Sequence, residues 1–99
     1  MSDRVERLKL MPDYGVDVPL WAGTANWEDL ALPTHLIERL RTWQADFDDA
    51  FRFDRGWLDP DRREAWTRES ARLVDLLHEH LDPTVDLVVD LWPITYRRH

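Results

Sequence analysis

The chain predicts an α/β domain of the α+β type, with a β-α-α-β core in which an antiparallel helix hairpin packs on a small sheet of two or three strands. Three observations carry this expectation. Alternating apolar runs stand near the two ends, an apolar stripe at 4, 3, 4, 3 spacing joins Leu36 to Ala50, and a second stripe runs from Trp66 to Leu81 behind an Asp-Pro start. The 99 residues suit one domain with one modest core, spanning 1–99, with its folded part over 4–94 and a frayed polar tail over 95–99.

The first strand runs from Val5 to Met11, where Leu8 and Leu10 alternate with Arg7, Lys9 and Met11, and Pro12 closes it. From Asp13 to Leu32 the chain is irregular, carrying Gly15, Pro19, Gly23 and Asn26 among Tyr14, Trp21 and Trp27. Val16 to Leu20 suits a short third strand, which Pro19 confines to an edge because proline cannot donate to a ladder. Helix one starts with Pro33 at its first position and ends between Ala50 and Phe53, presenting Leu36, Leu40, Trp43, Phe47 and Ala50 on one face. Its N-cap slot falls on Leu32, which offers no side-chain oxygen to the free N–H groups. Asp54, Arg55 and Gly56 form the turn to helix two.

Helix two takes Asp59 as N-cap and Pro60 at its first position, buries Trp66, Leu73, Leu77 and Leu81, and stops at Asp82-Pro83. The last strand, Val85 to Leu91, places Val85, Leu87, Val89 and Leu91 on one side and Asp86, Val88 and Asp90 on the other, and Pro93 ends it in turn. If the end strands are neighbours, Arg7 and Lys9 share a solvent face with Asp86 and Asp90 as opposite charges across the pair. Two strands alone are marginal in water, so either the third strand joins them or a second copy pairs at a strand edge as a homodimer.

Composition narrows the function. Twenty acids against thirteen bases give a net charge of −7, which disfavours nucleic acid as partner and favours a basic protein. The absence of Cys removes disulfides and thiol chemistry. The N-terminal segment has no apolar signal core and no stretch approaches the roughly 18 apolar residues of a membrane span, so the expected location is cytoplasmic, away from membrane.

Lys9-Leu10-Met11-Pro12-Asp13-Tyr14-Gly15, then Pro19-Leu20-Trp21, Asp29-Leu30, Leu32-Pro33 and the Trp43 to Asp48 run resemble a family of small bacterial proteins, mostly from GC-rich genomes, with the same order of strand, Pro-Asp-Tyr-Gly loop and helix. The resemblance covers roughly the first half. It implies that Pro12 to Gly15 and Pro19 to Trp21 form a defined loop, and it brings no activity or site residue. The chain departs from the family pattern at Leu32, where a capping Ser would be expected.

Asp46, Asp48 and Asp49 stand out chemically, since they place carboxylates in the last turns of helix one, where the helix dipole is already negative. A choice that opposes the fold marks a candidate functional surface. With Asp54 they would accept Arg or Lys from a partner, and Tyr14, Trp21, Trp27 and Trp57 would supply aromatic anchors. Trp43 and Trp66, on apolar helix faces, are assigned to the core. A second constellation, Asp75, His78, Glu79 and Asp82, has metal-ligand chemistry at helical spacing, although no metal or other cofactor is expected. His35 lacks a nucleophile motif or phosphate loop beside it, so the chain does not read as an enzyme.

The expected function is therefore a small acidic protein-binding module, in its concrete form an immunity-type inhibitor that occludes a basic toxin or nuclease. This form rests on size, acidity and lack of catalytic motifs. The alternatives are a structural homodimer or complex subunit and, behind it, a small metal-dependent enzyme.

Overall fold

Leucines on alternate positions and two amphipathic stripes require layers that cover one another, and the computed structural model, described over residues 4–95, shows how they do so. A three-stranded sheet has the order β2-β1-β5, with β1 (Arg7–Leu10) in the centre, β2 (Leu20–Trp21) antiparallel to it and β5 (Asp86–Val89) parallel to it. Between β1 and β5 run helices α1 (Thr34–Ala50) and α2 (Pro60–His80), joined by a small antiparallel hairpin of β3 (Phe51–Arg52) and β4 (Gly56–Trp57). A short helix α3 (Trp92–Thr95) follows the sheet.

Leu8 and Leu10 of β1 are fully buried, and they join Leu36, Leu40, Trp43 and Phe47 of α1 and Trp66, Leu73 and Leu77 of α2 in one core. The expected helix faces are the observed ones. The ion pairs expected between the end strands also form, Arg7 with Asp86 at 3.6 Å and Lys9 with Asp90 at 3.7 Å. Both pairs are exposed, so they fix register more than they add stability.

Several expectations are corrected. Helix α1 begins one residue later, because Pro33 has ψ 142° and its carbonyl accepts the first helical bonds from Leu36 and Ile37; Pro33, not Leu32, is the cap, without a side-chain hydrogen bond. The third strand shrinks from Val16–Leu20 to Leu20–Trp21, since Pro19 has no N–H and contributes only its carbonyl, to Met11. Gly56 belongs to β4, with φ 72° that suits glycine. Val89 is 38% exposed instead of covered, as it sits at the end of an edge strand. Thr95 closes α3 rather than opening a tail, and the remainder of that tail, 96–99, lies outside the described residues.

Polar groups inside the core are paired. The Trp43 and Trp66 rings stack at 4.4 Å, Trp43 Nε1 donates to Ser70 Oγ, Ser70 Oγ donates to the Trp66 carbonyl, and Trp66 Nε1 donates to the Trp43 carbonyl. This closed circuit lets α1 and α2 approach through two tryptophans without leaving a buried donor unsatisfied. Among the described residues no helix is long and apolar enough to cross a membrane.

Candidate functional site

The apolar stripe of α1 points Phe47 inward, and this places Asp46, Asp48 and Asp49 around the rim of the helix end. They do different things there. Asp48 is a fastener: its Oδ1 accepts from the backbone N–H of Gly15 at 3.0 Å and its Oδ2 from Gln44 Nε2 at 3.0 Å. Gln44, buried to 1% exposure, also donates to the Asp13 carbonyl at 2.6 Å, so the Asp13–Gly15 loop is tied to α1 at two points.

Asp49 accepts from Arg62 Nη1 at 2.6 Å, and this hydrogen bond, reinforced by the Arg62 charge, holds the Asp49 carboxyl below its usual range. The same contact raises Arg62. Arg62 lies only 3.8 Å from Asp46, too far for a hydrogen bond, and Asp46 has no hydrogen bond to its carboxylate among the described residues. The bases missing from the last turn of α1 are replaced from just beyond it. Arg52 Nη1 donates to the carbonyls of Asp48, Asp49 and Phe51, satisfying the helix end while the acids remain. Asp54, in the hairpin turn, meets Arg55 at 3.9 Å.

The loop tie brings Tyr14 onto this end of the molecule. Its ring, half exposed, packs on Phe47 at 5.4 Å and Trp92 at 5.8 Å. Trp57 of β4 packs against Phe51 and Trp66, and its Nε1 donates to the Pro93 carbonyl at 3.0 Å. Phe53, 70% exposed in the hairpin turn, and Leu58, 50% exposed just after β4, are large apolar side chains open to solvent in the segment that carries Asp54.

The structure thus distributes the expected residues over one end of the molecule: Asp48 ties down the Tyr14 loop, Asp46 lines an opening with Trp57 between the two long helices, Asp49 pairs with Arg62 of α2, and Asp54 stands in the hairpin turn. It does not bring Trp21 or Trp27 to them. Trp21 donates to the Met11 carbonyl and lines a groove with Arg4, Arg7 and Lys9 on the outer face of the sheet. Trp27, in a 3₁₀ turn (Trp27–Leu30), packs near Ile37 and Arg41 in the N-terminal half of α1.

Three contributors were not legible. Trp92 donates from Nε1 to the Pro12 carbonyl at 2.8 Å and underlies Tyr14; an isolated Trp before a proline has no periodicity to betray it. Arg62 and Gln44 sit within helical patterns that read as ordinary, and only a Gln on the apolar side of the α1 stripe could have hinted at the loop tie.

The metal-ligand constellation does not assemble. Asp82 lies beyond the α2 C-cap Leu81, so it leaves the helical face it was expected to share with Asp75, His78 and Glu79. It instead accepts from Thr84 N and Oγ1, which lower its carboxyl from the ordinary value. His35 faces His80 at 6.3 Å between ring centroids, and both are exposed.

A family model described as Serratia CdiI immunity protein-like matches residues 6–90, from the residue before β1 to the residue after β5, and so includes the whole sheet, both long helices and the hairpin. No curated protein matches the chain significantly.

Proposed function

The chain belongs to the Serratia CdiI immunity protein-like family, and from that premise we propose that it is an immunity-type inhibitor that binds a toxin partner and occludes it without catalysis. The family match carries this reading. The geometry supports a location for the contact: the C-terminal end of α1, the β3–β4 hairpin and the Tyr14 loop.

Two properties support that location. The stretch from Asp46 to Asp61 holds six carboxylates against two guanidinium groups, more than half of the net charge of −7. Beside it, Tyr14, Phe53 and Leu58 are at least half exposed or nearly so, at 49%, 70% and 50%. Exposed apolar side chains in an acidic segment suit a basic partner, with charge speeding encounter and aromatic burial setting the lifetime of the complex. Asp48 serves first as a structural tie in this reading, with one oxygen on the Gly15 N–H and the other on Gln44.

The test is growth rescue. A candidate toxin encoded in the neighbouring reading frame is expressed with the wild-type chain, with Phe53→Ser, and with an Asp46→Asn, Asp54→Asn pair, and binding is measured at low and high salt. The expected result is rescue by wild type, weakened in both variants, with affinity falling as salt rises. Rescue unchanged in both variants refutes the location, and a wild-type chain that neither binds nor rescues refutes the inhibitor reading.

One observation favours a second reading. β5 is an edge strand with Val89 exposed, a geometry that admits pairing with a second copy. Light scattering showing a dimer insensitive to salt and broken by Val89→Lys would support self-association.

A further inference from the structure

Between α1 and α2, next to the hairpin, lies a cavity of about 180 Å³. Two alanines, Ala50 and Ala65, keep it open, Trp57 and Trp66 wall it, and Asp46 stands at its rim. The walls are held from behind. Trp57 is pinned through Nε1 to the Pro93 carbonyl, and Trp66 is locked in its circuit with Trp43. Trp66 is buried against Trp43, so the half-buried Trp57 is the aromatic surface this opening offers to a flat, apolar-faced guest.

The rim says which guest. Glu69 is already paired with Arg39, which meets both of its oxygens, at 2.6 and 3.4 Å. Arg62 also lines the opening, with its hydrogen bond spent on Asp49 at 2.6 Å. Asp46, 57% exposed, therefore faces the opening with its hydrogen-bonding capacity unspent. A carboxylate beside a tryptophan face matches a guanidinium, which is planar, weakly hydrated and able to stack while donating in a fork; an ammonium matches the charge but not the shape.

We propose that this groove receives an arginine side chain of the partner, with its guanidinium against Trp57 and hydrogen-bonded to Asp46. The inference rests on the reading of this end of the molecule as the partner face, and it narrows that reading to one residue type on the partner. Arg62 would stay on Asp49 and keep its longer 3.8 Å pair with Asp46, so the guest would be the first cation hydrogen-bonded to Asp46.

The experiment uses peptides in place of the partner. Quenching of tryptophan fluorescence is followed as hexa-arginine or hexa-lysine is added to wild type, Ala65→Leu and Asp46→Asn, with circular dichroism to verify the fold. Ala65→Leu fills the groove, keeps the net charge and places a good helix former on an exposed helix position. Saturable quenching by hexa-arginine is expected, weaker for hexa-lysine and weakened about tenfold in Ala65→Leu, the size of one partly desolvated cation–π contact.

Equal affinity for wild type and Ala65→Leu would show diffuse surface charge and overturn the proposal. So would equal affinity for the two peptides, or no saturable quenching. The growth-rescue assay separates the two levels. Full rescue by Ala65→Leu overturns the arginine groove and leaves the inhibitor reading standing, whereas failure of wild type to rescue removes the inhibitor reading whatever the peptides do.

Discussion

Replacing Asp48 by alanine gives opposite signs according to what Asp48 does. If it were only a solvated acid at a helix C-terminus, its removal would relieve the dipole and stabilise the fold by about 0.3–1 kcal/mol. The structure gives it two hydrogen bonds, to Gly15 N and Gln44 Nε2, each at 3.0 Å. At about 0.5–1.5 kcal/mol net for each bond, their loss costs about 1–3 kcal/mol. Gly15 is exposed to water, but Gln44 is buried and keeps only its bond to the Asp13 carbonyl, so its second amide N–H loses its acceptor and the middle of that range applies.

Subtracting the dipole relief leaves a net destabilisation of about 1 kcal/mol, which for a chain of this length lowers Tm by about 5 °C. Urea and thermal unfolding followed by circular dichroism measure it. Asp48→Asn retains one acceptor but opposes its amide to that of Gln44, so it falls between wild type and alanine. Asp46→Ala serves as the control and should be neutral or slightly stabilising, since among the described residues its carboxylate has only the 3.8 Å pair with Arg62. A gain of stability in Asp48→Ala equal to that in Asp46→Ala would refute the fastener and return Asp48 to the candidate contact surface.

Ser70→Ala leaves the buried Trp43 Nε1–H without its acceptor and should cost about 1–3 kcal/mol in urea unfolding. A loss below about 0.5 kcal/mol, ordinary for a surface substitution, would mean the tryptophan circuit does not hold the helices together. For acid, the carboxyl of Asp82 is depressed in the fold by the Thr84 N–H and hydroxyl, so its contribution is present above the ordinary value of 3.8 and disappears as pH falls through the lower folded value. Asp82→Asn should therefore flatten the stability profile below about pH 4 and leave the shape near neutrality alone; an unchanged acid limb would count against it.

The helices were legible because their determinants are local. The 4, 3, 4, 3 stripe of α1 and the Asp59-Pro60 start of α2, where Asp59 accepts from Asp61 N, are each written within a few turns. Burial then needs only a partner face. The pairing of the end strands was legible from charge, Arg7 and Lys9 against Asp86 and Asp90, because register puts side chains of one face opposite each other. The candidate site was legible in part: its acids and Trp57 could be named, while Trp21 and Trp27 were grouped with them only because they share an irregular stretch with Tyr14.

Sequence by itself determined the element types, the core stripes and the acidic character of the α1 end, all set by spacing of a few residues. Tertiary structure decided the parallel sense of β1 and β5, the β3–β4 hairpin, the tie of Asp48 to a loop 33 residues away and the reach of Trp92 Nε1 to a carbonyl 80 residues away. It also decided which carboxylate remains uncommitted. Those outcomes depend on which groups meet when distant segments pack, and a carboxylate in sequence looks the same whether its oxygens will face water, a guanidinium or a backbone N–H.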